Sequence, residues 1–129
     1  MPKVLIIEDE VLIAKMIADQ FVKSMFQTAI AYDGISGYQA FEANDPDLVI
    51  LDVMLPYMDG YSVCSKIRKK SNLPVIMLTA RANVEDQLMG YEVKADDYMV
   101  KPFHPEVLVA KAKALLTLAS HGANNQEAI

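Results

Sequence analysis

The sequence predicts a doubly wound α/β sandwich, in which a parallel sheet lies between two layers of helices. Short apolar runs recur along the chain, and they are continuous rather than alternating, as is typical of strands buried on both faces of a parallel sheet. The stretches between these runs carry apolar residues at helical spacing. Turn signals such as Asp33-Gly34 and Asp59-Gly60 separate the units. Strand and helix therefore alternate five times, which predicts a three-layer (βα)5 architecture.

The strands are predicted at residues 4–7, 28–31, 48–51, 75–78 and 98–100, and the second of these runs is the weakest. After the first strand, Ile13, Ile17 and Phe21 share one face of a helix. The third, fourth and fifth helices have corresponding apolar faces, formed by Tyr61, Cys64 and Ile67, by Val84, Leu88 and Tyr91, and by Leu108, Ala112, Leu115 and Ala119. The small, polar stretch 120–129 is predicted to be a C-terminal tail or the start of an interdomain linker. The domain itself is predicted to span residues 1–119.

Length, charge and composition limit the function classes. The 129 residues fit one domain, and an apolar fraction of 53% is enough for a packed core. The net charge of -5 argues against direct binding of nucleic acid by this segment, because phosphate binding needs clustered cations. A single cysteine excludes an internal disulfide and favours a reducing compartment. Because no run approaches the roughly 20 apolar residues of a membrane span, we expect a cytoplasmic protein with no membrane contact.

Polar residues follow the predicted strands at their carboxyl ends, which is where open parallel sheets bind ligands. Glu8, Asp9 and Glu10 follow the first strand, Asp52 follows the third, Thr79 the fourth and Lys101 the fifth. Three carboxylates packed together repel one another unless a cation lies between them, and an oxygen-rich site of this kind suits Mg²⁺. The alternative is that the first acidic group only begins a helix, where acids favour the helix dipole. That alternative explains Glu10 better than Glu8.

Asp52, Lys101 and Thr79 each have a chemical and a structural interpretation. A carboxylate fixed at the mouth of a central strand can attack a phosphoryl group and form an acyl phosphate. The alternative, that Asp52 caps a turn or helix, is disfavoured by the long segment 53–60 that follows it. Lys101 precedes a proline, so its backbone is biased to an extended geometry and its ammonium can reach back over the strand ends. Alone, Lys101 would be a solvated charge and Thr79 a turn cap.

Taken together, Glu8-Asp9, Asp52-Val53-Met54-Leu55-Pro56, Thr79-Ala80 and Lys101-Pro102-Phe103 resemble the receiver domain of bacterial two-component response regulators. The resemblance covers roughly residues 3–119. The segments 46–48, 59–60 and 95–98 look most like the winged-helix (OmpR-like) transcription-factor class. The resemblance implies a flavodoxin-like fold with sheet order 2-1-3-4-5.

The resemblance also implies a role for each site residue. Asp52 would be the phosphoacceptor, and Asp9, Asp52 and the backbone carbonyl of Met54 would bind Mg²⁺ directly, with Glu8 acting through water. Thr79 would donate a hydrogen bond to the phosphoryl group and Lys101 would form an ion pair with it. Tyr98 would be the aromatic switch residue, and the Lys101-Pro102 peptide would be cis.

The phosphoryl donor implied by the resemblance is a sensor histidine kinase. Phosphorylation would switch the face formed by the fourth helix, the fifth strand and the fifth helix, and so control an output such as transcription. A receiver is not an enzyme that acts on a separate substrate, and it promotes only its own phosphorylation and dephosphorylation. A hydrolase of the haloacid-dehalogenase type, which also uses an Asp nucleophile and Mg²⁺, needs a second acid where this chain has Met54. A receiver fold that works without phosphorylation would be favoured by the loss of Asp52, Lys101 or the acidic pair, and all are present.

Four positions depart from the winged-helix class. Gln87 and Val107 occupy the places of an Arg and a Glu that pair across the active dimer, although Asp97 and Lys111 keep a second acidic-basic pair. These changes predict at most a weak homodimer on activation, through the switching face. Lys94 replaces a usual Gly. Gly37 replaces a usual Ala inside the second helix, at an expected cost of about 0.5–1 kcal/mol.

Overall fold

The structure is a computed structural model that describes residues 1–80, 88–89 and 91–127, with side chains described as far as residue 120. Five strands form one parallel sheet in the order β2-β1-β3-β4-β5. They are β1 (Lys3–Ile7), β2 (Gln27–Ala31), β3 (Leu48–Asp52), β4 (Val75–Thr79) and β5 (Asp97–Val100). The predicted fold class, the sheet order and all five strands are confirmed, each strand to within one residue at either end.

The described helices are α1 (Val11–Lys23), α2 (Gly34–Asn44), α3 (Gly60–Arg68) and the C-terminal helix (Pro105–Glu127). Of the predicted fourth helix, residues 88–89 and 91–92 are helical, whereas Val84 and Gln87 lie outside the described residues. The backbone remains helical past position 119, so the predicted domain boundary there stays a prediction. None of the helices in the described ranges is both long and apolar enough to cross a membrane.

The sheet has a separate core on each face, because successive side chains of a strand point to opposite sides. Val4, Ile6 and Ile50 pack with α1 and the C-terminal helix on one face. Leu5 and Ile7 pack with α2 and α3 on the other. Every side chain of β3 and β4 is buried, as the continuous apolar runs predicted.

The two Asp-Gly turn signals mark the starts of helices. Asp33 accepts a hydrogen bond from the Ser36 amide at 2.7 Å at the start of α2. Asp59 accepts one from the Ser62 amide at 2.9 Å at the start of α3. Both carboxylates satisfy amide groups that a helix leaves unpaired at its N-terminus, which fixes where α2 and α3 begin.

Gly37 is explained by close packing of α2 against β1. A Cβ atom at this position would lie 2.6 Å from Cγ2 of Ile7, closer than packed carbon atoms approach one another. Helix propensity alone therefore does not give the effect of Gly37 on stability. An alanine at this position would favour the helix but would push α2 away from the sheet.

Candidate functional site

The carboxyl edge of the sheet holds a compact group of ionisable side chains. Glu8 follows β1, Asp52 ends β3, and Lys101 follows β5. Lys101 Nζ lies 2.6 Å from Glu8 Oε1 and 3.1 Å from Asp52 Oδ2. It also lies 3.9 Å from Glu10 Oε1. Glu8, Asp52 and Lys101, which the sequence placed at the exits of three strands, are thus in direct contact in the folded chain.

Three carboxylates of this group are arranged so that they fit a divalent cation. Glu8, Asp9 and Asp52 each offer an oxygen atom, and these oxygens lie within 4.8 Å of one another. Glu8 and Asp52 are buried, while Asp9 is exposed on the solvent side of the cluster. Although Lys101 is close to Glu8 Oε1, no group in the described ranges makes a hydrogen bond of suitable geometry to that buried oxygen. Carboxylate oxygens with spare acceptor capacity are the ligands and water acceptors that Mg²⁺ prefers.

Burial and charge shift the protonation of two side chains. Burial, and after it the neighbouring Asp52, raise the pKa of Glu8 to about 8, because the Lys101 ammonium and the Glu10 amide offset them only in part. Burial acts to lower the pKa of Lys101, but its contacts with Glu8 and Asp52 outweigh burial and raise this pKa overall. Lys101 is therefore charged at neutral pH, and its one ammonium is shared among the acidic side chains of Glu8, Glu10 and Asp52. A bound cation would supply the positive charge that this pocket lacks.

Asp52 is held by contacts from both sides. Its Oδ1 accepts a hydrogen bond from the Met54 amide at 3.2 Å, and its Oδ2 accepts one from Lys101 at 3.1 Å. The following loop is fixed to the sheet because the Val53 amide donates to the carbonyl of Leu78 at 2.9 Å. The carboxylate at the mouth of β3 is consequently oriented by the chain before any ligand binds.

Two glycines allow the loop after Asp52 to lie against the helices. A Cβ on Gly60 would lie 2.2 Å from the carbonyl oxygen of Asp52, and a Cβ on Gly34 would lie 1.8 Å from that of Met58. Sequence reasoning treated both glycines only as turn signals and missed this role. The available signal was that both stand first in helices that begin beside the site, each directly after an Asp cap.

Thr79 and Tyr98 lie on the neighbouring strands. Thr79 is buried at the end of β4, and its carbonyl accepts a hydrogen bond from the Lys101 amide at 2.8 Å. Tyr98 pairs with Met77 in the β4–β5 ladder and is half-buried against the core beneath α2 and α3. The Lys101–Pro102 peptide bond is cis, as the family resemblance implied. The two predicted switch residues, Thr79 and Tyr98, thus lie on the neighbouring strands β4 and β5, and Lys101 directly follows β5.

An open groove of about 410 Å³ lies directly beside the acidic pocket. Its lining residues come from the start of α1 and from the segment after β5, and they are Glu10, Ile13, Met16, Lys101, Pro102 and Phe103. On the same helix, Val11 and Leu12 are exposed, Leu12 to 83%. Exposed apolar surface therefore adjoins the pocket that contains Asp52 and Lys101.

Comparisons with known proteins agree with this geometry. The family profile of the response regulator receiver domain matches residues 4–113. The uncharacterized transcriptional regulatory protein YclJ of Bacillus subtilis is 48% identical over 114 residues, which are 88% of this chain and 50% of that protein. The transcriptional regulatory protein CseB of Streptomyces avermitilis is 44% identical over 127 residues, which are 97% of this chain and 54% of that protein. The chain thus spans about half the length of these curated relatives.

The same fold is found among solved structures. The receiver domain of Francisella response regulator 1452 matches this chain with a TM-score of 0.87 and 33% sequence identity. The match covers 92% of this chain and 99% of that domain.

Proposed function

The chain belongs to the response regulator receiver domain family, and we propose that it is switched by transfer of a phosphoryl group onto Asp52. The observation that carries this proposal is the position of Asp52, buried at the mouth of β3 with its Oδ2 3.1 Å from the ammonium of Lys101. A carboxylate oxygen of Asp52 would attack phosphorus, forming an acyl-phosphate P–O bond as the donor's P–N bond breaks and its imidazole leaves. Phosphoryl transfer depends mainly on positioning and charge stabilisation, and both are features of this pocket.

Each neighbouring residue has a role in that reaction. Lys101 would pair with a phosphoryl oxygen, and the Thr79 hydroxyl would donate a hydrogen bond to another. Asp9, Asp52 and the backbone carbonyl of Met54 would hold Mg²⁺, with Glu8 acting through water. When bound, Mg²⁺ would neutralise negative charge on the transferring group. Two observations support this assignment. In the described part of the chain the buried Glu8 Oε1 accepts no hydrogen bond of suitable geometry, and the three carboxylates offer oxygens within 4.8 Å of one another.

The switch would follow from new contacts that only the phosphorylated state makes. A phosphoryl group that binds Thr79 and Lys101 would favour one position of the ends of β4 and β5. Through Tyr98, this change would reach the face formed by the fourth helix, the fifth strand and the fifth helix. Because the curated relatives are named transcriptional regulators and are about twice as long, we infer that the output of the whole protein is control of transcription.

A sensor histidine kinase is the proposed phosphoryl donor. We propose that it docks on the exposed apolar side chains at the start of α1 and on the adjacent groove, because this surface adjoins the pocket that contains Asp52. Replacing Leu12 by Ser should therefore slow transfer from a kinase that phosphorylates the unchanged chain, without slowing transfer from acetyl phosphate. Equal rates from the kinase would place the docking surface elsewhere.

The phosphoacceptor assignment is tested by mass spectrometry of the chain after incubation with Mg²⁺ and acetyl phosphate. We expect one phosphoryl group on the unchanged chain, none on Asp52→Asn, and an unchanged yield on the control Asp19→Asn, which alters an exposed carboxylate of α1. An undiminished acyl phosphate on Asp52→Asn would contradict the assignment.

A further inference from the structure

Arg68, at the end of α3, makes an unusually dense set of contacts for a residue remote from the carboxyl edge of the sheet. Its side chain is only 10% exposed. The guanidinium donates hydrogen bonds to the carbonyls of Lys94 at 2.9 Å and Leu73 at 2.7 Å, and it pairs with the Asp96 carboxylate at 2.8 Å. One side chain thereby connects the end of α3, the segment that enters β4 and the turn that enters β5.

Asp96 extends these contacts to the sheet. The same carboxylate oxygen that pairs with Arg68 accepts a hydrogen bond from the Val75 amide at 2.8 Å, and the Asp96 amide donates to the Val75 carbonyl at 2.9 Å. Arg68 and Asp96 therefore fix the first residue of β4 relative to the residue immediately before β5.

The turn before β5 needs this support. Lys94 has a φ of 63°, in the left-handed region that favours glycine. Arg68 binds the carbonyl of Lys94, and the Cys64 thiol donates to the carbonyl of the preceding Val93 at 3.3 Å. Two side chains of α3 thus hold a turn whose backbone conformation is unfavourable for the residue that it contains.

The start of β5 is held by the contacts of Arg68 and Asp96 and by the ion pair of Asp97 with Lys111 at 2.9 Å. β5 is a four-residue strand at the edge of the sheet, paired only with β4, and Lys101 is the residue that directly follows it. A strand advances about 3.3 Å per residue, so a shift of β5 by only part of one residue is enough to break the 3.1 Å contact between Lys101 and Asp52. The position of the ammonium consequently depends on where β5 starts.

We propose that Arg68 is a positioning residue for Lys101: by fixing the start of β5 beside β4, it sets where the ammonium lies relative to Glu8 and Asp52. The inference rests on the proposed function of Lys101 as the partner of the phosphoryl group. Arg68 lies at the opposite end of the sheet, so it would influence the phosphoryl site through β5 and Lys101. The planar fork of the guanidinium is required, because one ammonium cannot reach two carbonyls and a carboxylate that lie in different directions.

The test is a double-mutant cycle with beryllofluoride, a phosphoryl mimic, in the presence of Mg²⁺. Arg68→Ala should weaken beryllofluoride binding by about tenfold while leaving the affinity for Mg²⁺ alone unchanged. Arg68→Lys should behave as Arg68→Ala does. In a Lys101→Ala background, Arg68→Ala should have no further effect on beryllofluoride binding, because the residue through which it acts is already gone.

Lys70→Ala is the matched control. Lys70 stands two positions after Arg68 and also carries an ion pair, with Glu42, but that pair is exposed and lies between α2 and α3. The control should bind beryllofluoride as the unchanged chain does. Should Arg68→Ala fail to fold, as judged by circular dichroism, Asp96→Asn is carried through the same cycle, because it removes the charge partner and keeps an acceptor for the Val75 amide.

The possible outcomes separate the two proposals. An Arg68 effect that persists at full size in the Lys101→Ala background, or a beryllofluoride affinity that Arg68→Ala leaves unchanged, would overturn the positioning role. Failure of the unchanged chain to bind beryllofluoride would instead contradict the proposed function.

Discussion

Glu8 and Lys101 form the closest ion pair of the pocket, with Glu8 Oε1 and Lys101 Nζ 2.6 Å apart. The carboxylate is fully buried and the lysine side chain is only 14% exposed, so water screens this pair weakly. Asp52 shares the same ammonium at 3.1 Å. Where Glu8 is ionised, Lys101 is thus the principal counter-charge for the two buried carboxylates among the described residues, and this relationship decides how the site responds to mutation and to pH.

Replacing Lys101 with Ala should separate cation binding from phosphoryl binding. At alkaline pH, where Glu8 is ionised, the variant should bind Mg²⁺ as tightly as the unchanged chain or more tightly, because the ammonium competes for the same carboxylates. Beryllofluoride binding should weaken by about 1.5–3 kcal/mol, or roughly tenfold to a hundredfold, because a charge-assisted contact is lost. Calorimetric titration with each ligand measures both effects. Loss of Mg²⁺ binding in a folded variant would contradict the role assigned to Lys101.

The raised pKa of Glu8 predicts a pH-dependent stability. Its pKa is about 8 in the folded chain and has an ordinary value of 4.5, so between these values the folded chain holds a proton that the unfolded chain has released. The free energy of unfolding should therefore be highest below pH 4.5, as far as this group is concerned, and fall as the pH rises towards 8. One unit of pKa shift corresponds to about 1.4 kcal/mol, so the effect is measurable by chemical denaturation without Mg²⁺.

Glu8→Gln provides the control for this pH dependence. The amide does not titrate, and the slope of stability against pH in this range should become smaller. A slope identical to that of the unchanged chain would assign the pH dependence to other groups.

The sequence predicted most of the fold because its central strands are buried on both faces, and such strands leave continuous apolar runs that few other structures produce. It placed Asp52, Thr79 and Lys101 at one edge of the sheet because they stand directly after those runs, while their roles stay predictions. The contacts of Arg68 left no comparable signal in the sequence. Two of its hydrogen-bond acceptors, at Leu73 and Lys94, are backbone carbonyls in separate segments of the chain. The close approach of Gly37 to Ile7 was hidden for a similar reason, because it depends on the distance between α2 and β1 rather than on either segment alone.

Gly37→Ala should destabilise the domain even though alanine is the better helix former. The gain in helix propensity is about 1 kcal/mol, whereas forcing a methyl group against Ile7 costs about 1–3 kcal/mol and displaces the backbone. The two contributions can be separated in an Ile7→Ala background, where the space for the new Cβ is open and Gly37→Ala should stabilise the chain. Urea denaturation of the four proteins measures this change of sign. Destabilisation of equal size in both backgrounds would mean that contact with Ile7 is not the cause.

The oligomeric state should follow from the contacts of Lys111 and Val107. Lys111 pairs with Asp97 within the same chain at 2.9 Å, with both side chains about one-third exposed. A dimer that used these residues between chains would have to exchange this pair for an equivalent one, so the net gain would be at most about 1 kcal/mol. Val107 is 45% exposed and offers an apolar group where the winged-helix class has a charge. Gln87, the other departure on this face, lies outside the described residues.

We therefore expect the chain to be monomeric without phosphorylation and to form at most a weak dimer when beryllofluoride is bound. Sedimentation velocity with and without the mimic, on the unchanged chain and on Lys111→Ala, measures both states. Lys111→Ala should weaken any dimer that beryllofluoride induces, because the exchanged ion pair fixes the register of the interface as much as its strength. A tight dimer that responds neither to beryllofluoride nor to Lys111→Ala would show that a different surface holds the two chains together.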